Sequence, residues 1–97
     1  MKRNPDVIII GAGAAGCATA YYLAREGVNT LVLERDAIGS HASGFALGLL
    51  NPLTGTGIPG PIQPLAETAF EMHKSFWSTL ENESHMKIQV RLMPHLE

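Results

Sequence analysis

One cysteine, Cys17, stands in the 97 residues. A lone thiol rules out an internal disulfide framework and fits a reducing compartment. Inside a helical pattern it reads as a small apolar packing residue. Charge is equally sparse. Seven basic and nine acidic residues give a net charge of −2, and no Lys/Arg cluster appears, so no contact with nucleic acid or an anionic membrane surface is expected. No apolar run is long enough for a membrane span or a signal h-region, and Met1–Pro5 is too short and polar to act as a targeting segment. A soluble, cytoplasmic protein is therefore expected. The histidines, His41, His73, His85 and His95, are scattered without a second His or a Cys at ligand spacing, so no metal site is expected. Neither G-x-S-x-G nor a phosphate-binding G-K-[ST] occurs, and no residue stands out as a catalytic acid or base.

What is present is concentrated between Val7 and Glu34. Val7-Ile8-Ile9-Ile10 is short and β-branched enough for a buried strand. Gly11-Ala12-Gly13-Ala14-Ala15-Gly16 follows as a G-x-G-x-x-G. A helical pattern runs to Arg25 and stops at Gly27, suited to the left-handed C′ position. A second apolar run, Thr30-Leu31-Val32-Leu33, ends in Glu34. Strand, glycine turn, helix, strand and acid form the order of a dinucleotide-binding βαβ unit. In such a unit Gly11 makes the tight turn, Gly13 lets a pyrophosphate approach the backbone, and Gly16 lets the helix lie close to its strand. The helix N-terminus faces the pyrophosphate, and Glu34 can accept hydrogen bonds from the ribose hydroxyls of an adenosine.

The βαβ unit is expected over residues 6–36. The segment 37–63 reads as a loop: from Ala37 to Pro64 the chain has six glycines, four prolines and no Asp, Glu, Lys or Arg. Its Phe45, Leu47, Leu49, Leu50 and Leu53 make it too apolar for a linker and suit packing against a large flat ligand. A helix is expected over 64–81, with Pro64 at its first position. It carries an apolar stripe of Leu65, Ala66, Ala69, Phe70, Met72, Phe76, Trp77 and Leu80. His73 falls within that stripe as a packing histidine with a hydrogen-bond partner. The alternation of Ile88, Val90 and Leu92 with Lys87, Gln89 and Arg91 predicts a half-buried strand over 87–93. The fold class is α/β: an incomplete Rossmann-like βαβ unit, then a loop, an amphipathic helix and a strand.

The unit Val7–Glu34, followed by Gly39-Ser40-His41-Ala42-Ser43-Gly44, resembles the N-terminus of FAD-dependent oxidoreductases of the D-amino-acid oxidase, glycine oxidase and sarcosine oxidase family. The resemblance implies FAD as cofactor. It implies that Gly11, Ala12, Gly13, Ala14, Ala15 and Gly16 hold the FAD pyrophosphate and that Glu34 holds the ribose. It implies that Arg35, Ser40, His41, Ala42, Ser43 and Gly44 line the path from ribose to flavin, and that the segment carrying Gly48 and Leu49 passes near the isoalloxazine ring. Within the family, Ala42-Ser43-Gly44 with Gly48, Leu50 and Pro52 is similar to the oxidase domain of the bifunctional tRNA wobble-uridine methylaminomethyl enzyme. His41-Ala42-Ser43-Gly44 also resembles the His-Ala-Ala-Gly of dimethylglycine and sarcosine dehydrogenases, whose histidine is bonded to the flavin 8α carbon.

The implied reaction is hydride removal from a carbon bearing an amine, with a small amine or amino acid as substrate of a full-length parent. The family's substrate-binding and catalytic residues lie mostly beyond this chain. The expectation is therefore an N-terminal segment of a larger oxidoreductase, inactive alone and binding FAD weakly. Two other readings share the fingerprint: a non-catalytic nucleotide-binding module that forms a homodimer through the Leu65–Leu80 stripe, and part of an NAD-dependent dehydrogenase.

Overall fold

The computed structural model describes residues 4–52 and 58–91. It resolves into two compact units that divide between Leu49 and Leu50.

The first unit is a βαβ. Strand β1, Val7–Ile10, and strand β2, Thr30–Leu33, pair in parallel, with Val7 opposite Thr30 and Ile10 opposite Leu33. Helix α1, Ala14–Arg25, lies between them in the chain. Parallel partners in register share a face, so each strand's period of two sorts its side chains into two sets. Val7, Ile9, Thr30 and Val32 are half-buried. A Cβ built on Gly16 of α1 would lie 3.4 Å from Ile9 Cγ2, which identifies this face as the one α1 covers. Ile8, Ile10, Leu31 and Leu33 point the other way and are 42 to 79% exposed. Parallel sheets are normally covered on both faces; here one face stands open. Among the described residues the only buried hydrophobic one is Ala12, in the glycine turn, so the tightest packing of the unit lies at that turn and not beneath the sheet.

Helix α1 ends where Gly27 predicts. Gly27 takes φ +77, its N–H donates to the Ala24 carbonyl, and the N–H of Val28 reaches the Leu23 carbonyl. This is a Schellman closure, which satisfies the last free carbonyls and turns the chain toward β2.

In the second unit, helix α2 spans Gln63–Ser84. It begins one residue before the expected start, so Pro64 is the second helical residue, a position where its missing N–H is still harmless. Ala66, Phe70, His73, Phe76, Trp77 and Leu80 are half-buried. Leu65 and Met72 are 66% and 51% exposed, so the covered stripe is narrower than the pattern suggested. His73 stacks on Trp77 with ring centroids 4.9 Å apart. Its Nδ1 is enclosed with no hydrogen-bond partner among the described residues. The helix closes at His85, which adopts the left-handed conformation.

Residues 87–91, where alternation predicts a strand, form none; residues 92 and 93 lie outside the described residues. A strand requires a ladder partner. Instead the Ile88 N–H donates to Glu81 Oε1 at 3.0 Å, tying this segment back to α2 through a side chain. Within the loop of 37–63, Ala42–Phe45 forms a 3-10 turn. Among the described residues no helix is long and apolar enough to cross a membrane.

Candidate functional site

The site is built at the carboxyl ends of β1 and β2, where the chain leaves β1 through the glycine turn. Gly11 takes φ +105, a conformation that disfavours any side chain. Its N–H donates to the Leu33 carbonyl at 2.8 Å, which carries the strand pairing one residue into the turn. A methyl group on Gly16 would overlap the Gly11 carbonyl oxygen, so the first turn of α1 can pack on the loop only with glycine there. Gly13 is the N-cap of α1, in extended conformation, and has no side chain to cap with. The chain therefore reaches the start of α1 with no capping side chain of its own and with the positive end of the helix dipole at the turn. Ala15 is exposed within that first helical turn.

Glu34 follows the last residue of β2. Its Oε1 accepts from the Ala12 N–H at 3.0 Å and its Oε2 from the Asp36 N–H at 2.9 Å. The bond from Ala12 and then that from Asp36 lower its pKa below the ordinary carboxylate value, with smaller contributions from the charges of His41 and Arg35; partial burial opposes them. The carboxylate is thus fixed against the glycine turn in its ionised form, at the strand end where an adenosine ribose sits in a dinucleotide-binding βαβ unit.

Residues 39–45 run back across the glycine turn as a strap. The Gly39 N–H donates to the Ala12 carbonyl at 2.8 Å, so Ala12 is held by Glu34 on one side and the strap on the other. Ser43 Oγ accepts from the Ala14 N–H at 2.8 Å. The Ser40 N–H bonds to the Ala37 carbonyl and the Gly44 N–H to the His41 carbonyl. A Cβ on Gly44 would overlap the Gly39 oxygen, so the 3-10 turn requires glycine there. His41 Nε2 meets Asp36 Oδ2 at 2.5 Å. Arg35 Nε lies 3.6 Å from the same oxygen but is 82% exposed, a geometry worth little in water. Ala42, Gly48 and Leu49 are exposed.

The structure thus gathers Gly11 to Gly16, Glu34 and Ser43 around one turn, with Arg35, Ser40, His41 and Gly44 along the strap beside it. Two features were not visible in the sequence. Asp36 joins Glu34 and His41 in a group whose ligand atoms lie within 4.8 Å of one another, although the sequence showed no metal spacing. These groups already satisfy one another and the backbone. The other feature is the cap that Ser43 places on α1 across 29 residues. Its only sequence signal is a helix that opens on Gly13, with no capping side chain of its own.

A fixed carboxylate, a helix start at the turn, and glycines where a Cβ would collide with backbone together fit a dinucleotide with a diphosphate bridge. The sequence comparisons agree. Residues 6–96 match the DAO family, described as FAD dependent oxidoreductase. The chain is 30% identical over 89 residues to a glycine oxidase of Bacillus licheniformis, covering 92% of this chain and 24% of that one. It is 35% identical over 91 residues to a monomeric sarcosine oxidase of Arthrobacter sp., covering 91% and 22%. It is also 35% identical over 78 residues to a tRNA 5-methylaminomethyl-2-thiouridine biosynthesis bifunctional protein of Leptospira interrogans, covering 80% and 12%.

The fold and the match define an FAD-dependent oxidoreductase domain. The chain belongs to the DAO family and is related to amino-acid and amine oxidases, which sets aside the nicotinamide-dependent reading. It spans 12 to 24% of the length of these three relatives.

Proposed function

We propose that this chain supplies the dinucleotide-binding part of a flavoenzyme that oxidises a small amine or amino acid. The observation that carries this reading is the Glu34 carboxylate, bonded to the Ala12 N–H of the glycine turn and held ionised beside it. Glu34 would accept the ribose hydroxyls of FAD. The backbone of Gly11 to Gly16 and the start of α1 would hold the diphosphate. Arg35, Ser40, His41, Ala42, Ser43 and Gly44 would line the path onward, with Gly48 and Leu49 nearer the flavin. Bound there, the flavin would accept a hydride at N5 from the carbon bearing the amine.

The chain's own residues bind and orient; none of them is assigned a proton-transfer step. His41 sits beside Asp36 and Glu34, which favours a place at the adenosine end over attachment at the flavin 8α carbon.

The test is the visible absorption spectrum of the purified protein, before and after acid precipitation. Flavin bands released to the supernatant are expected. Colour retained in the pellet would overturn the placement of His41. A Glu34→Gln chain that takes up FAD as well as the unaltered one would overturn the role of Glu34. A second reading, a nucleotide-binding module that self-associates, draws support from the open sheet face of Ile8, Ile10, Leu31 and Leu33.

A further inference from the structure

Glu34, Asp36 and His41 come from the end of β2, the turn after it and the strap, and one ligand atom of each lies within 4.8 Å of the others. Two carboxylates and an imidazole form a donor set that divalent first-row metals accept, and the ring nitrogen favours zinc over magnesium. The set is held before any ion arrives. Each Glu34 oxygen accepts one backbone N–H, from Ala12 and from Asp36, which fixes the carboxylate and leaves each oxygen a second lone pair. His41 is placed by the strap, through Gly39 N–H to the Ala12 carbonyl and Gly44 N–H to its own carbonyl. His41 Nε2 meets Asp36 Oδ2 at 2.5 Å. A cation entering there replaces the proton between them, and both atoms become ligands.

The side chains of His41 and Asp36 are 55% and 54% exposed, so an ion reaches them from water and keeps water in its remaining positions. Two carboxylate charges with a neutral imidazole balance a divalent ion. Arg35 Nε, 3.6 Å from Asp36 Oδ2, opposes it, but that side chain is 82% exposed and free to turn into solvent. We propose that Glu34, Asp36 and His41 form a site for a zinc-class divalent ion, and that this ion and the dinucleotide exclude each other because both take the Glu34 carboxylate. The competition rests on the dinucleotide reading above; the metal site does not.

The experiment titrates the isotope-labelled chain with zinc chloride and follows the His41 ring and the amides of residues 34 to 41. Saturable shifts confined to that group are expected, reversed by a chelator and absent with magnesium chloride. Asp36→Asn and His41→Gln should each weaken zinc binding by about tenfold or more, since losing even a supporting group of a metal site costs that much. FAD is then titrated with and without saturating zinc. Zinc should weaken FAD binding to the unaltered chain and leave FAD binding to Asp36→Asn unchanged. Zinc affinity unaltered in both variants, or shifts centred on His73, His85 or His95, would overturn the metal site. Simultaneous binding of zinc and FAD at full affinity would overturn the competition. Failure of the zinc-free, unaltered chain to bind FAD would overturn the dinucleotide reading, while the zinc titration would still decide the metal site.

Discussion

Glu34 is the residue on which the site's electrostatics turn. Its pKa is lowered from 4.5 by bonds that exist only in the folded chain. A carboxylate of this kind contributes stability that is present in full above its unfolded pKa and is lost as pH falls through the lower folded value. We expect the stability of the first unit to decline as pH drops below 4.5. The Glu34→Gln chain should lack that component of the decline; urea melts across the acid range would show it. Identical acid profiles for the two chains would refute the assignment. Gly16 is governed by sterics. Its Cβ would overlap the Gly11 oxygen, so Gly16→Ala should destabilise the unit by about 2 kcal/mol, read as a lowered thermal midpoint. At this scale the sequence was informative for the turn at Gly11 and the close approach at Gly16, because each follows from the backbone beside it, whereas the bonds of Glu34 to Ala12 and Asp36 were not read from it. Asp36 was not legible: its link to His41 depends on how the strap lies.

At the scale of the element, β1 separates two environments within one apolar run. Ile9 faces α1, with Cγ2 at the helix contact, while Ile8 is 54% exposed on the open face. Ile9→Ala should cost about 2 kcal/mol and Ile8→Ala less than about 1, a difference that denaturant midpoints resolve. Equal costs would mean that the second face is covered too. The four apolar residues Val7 to Ile10 predicted a strand but not which side chains meet the helix, since an unbroken apolar run has no alternation to read. The segment 87–91 shows the converse. Its alternation is clear, yet a strand is a property of a pair, and the Ile88 N–H is satisfied by Glu81 instead.

For the molecule as a whole, the open face of the sheet and the outward Leu65 and Met72 of α2 leave aliphatic surface in water. We expect concentration-dependent self-association through the α2 stripe, measured as mass by sedimentation. Leu65→Glu with Met72→Glu should return the chain to monomer, because like charges placed across a shared apolar stripe repel. Association that persists in the double variant would move the interface to the sheet.

The sequence by itself determined the βαβ unit, its glycine turn and its acid. Strand, turn and helix signals are local, and each residue's role there follows from its immediate neighbours. Tertiary structure alone decided that Ser43 caps α1 from 29 residues away, that Glu34, Asp36 and His41 converge, and that one face of the sheet stays bare. Those outcomes depend on how a loop without charge or regular period settles over the turn, and on which surfaces find a partner, and neither is written in any local pattern.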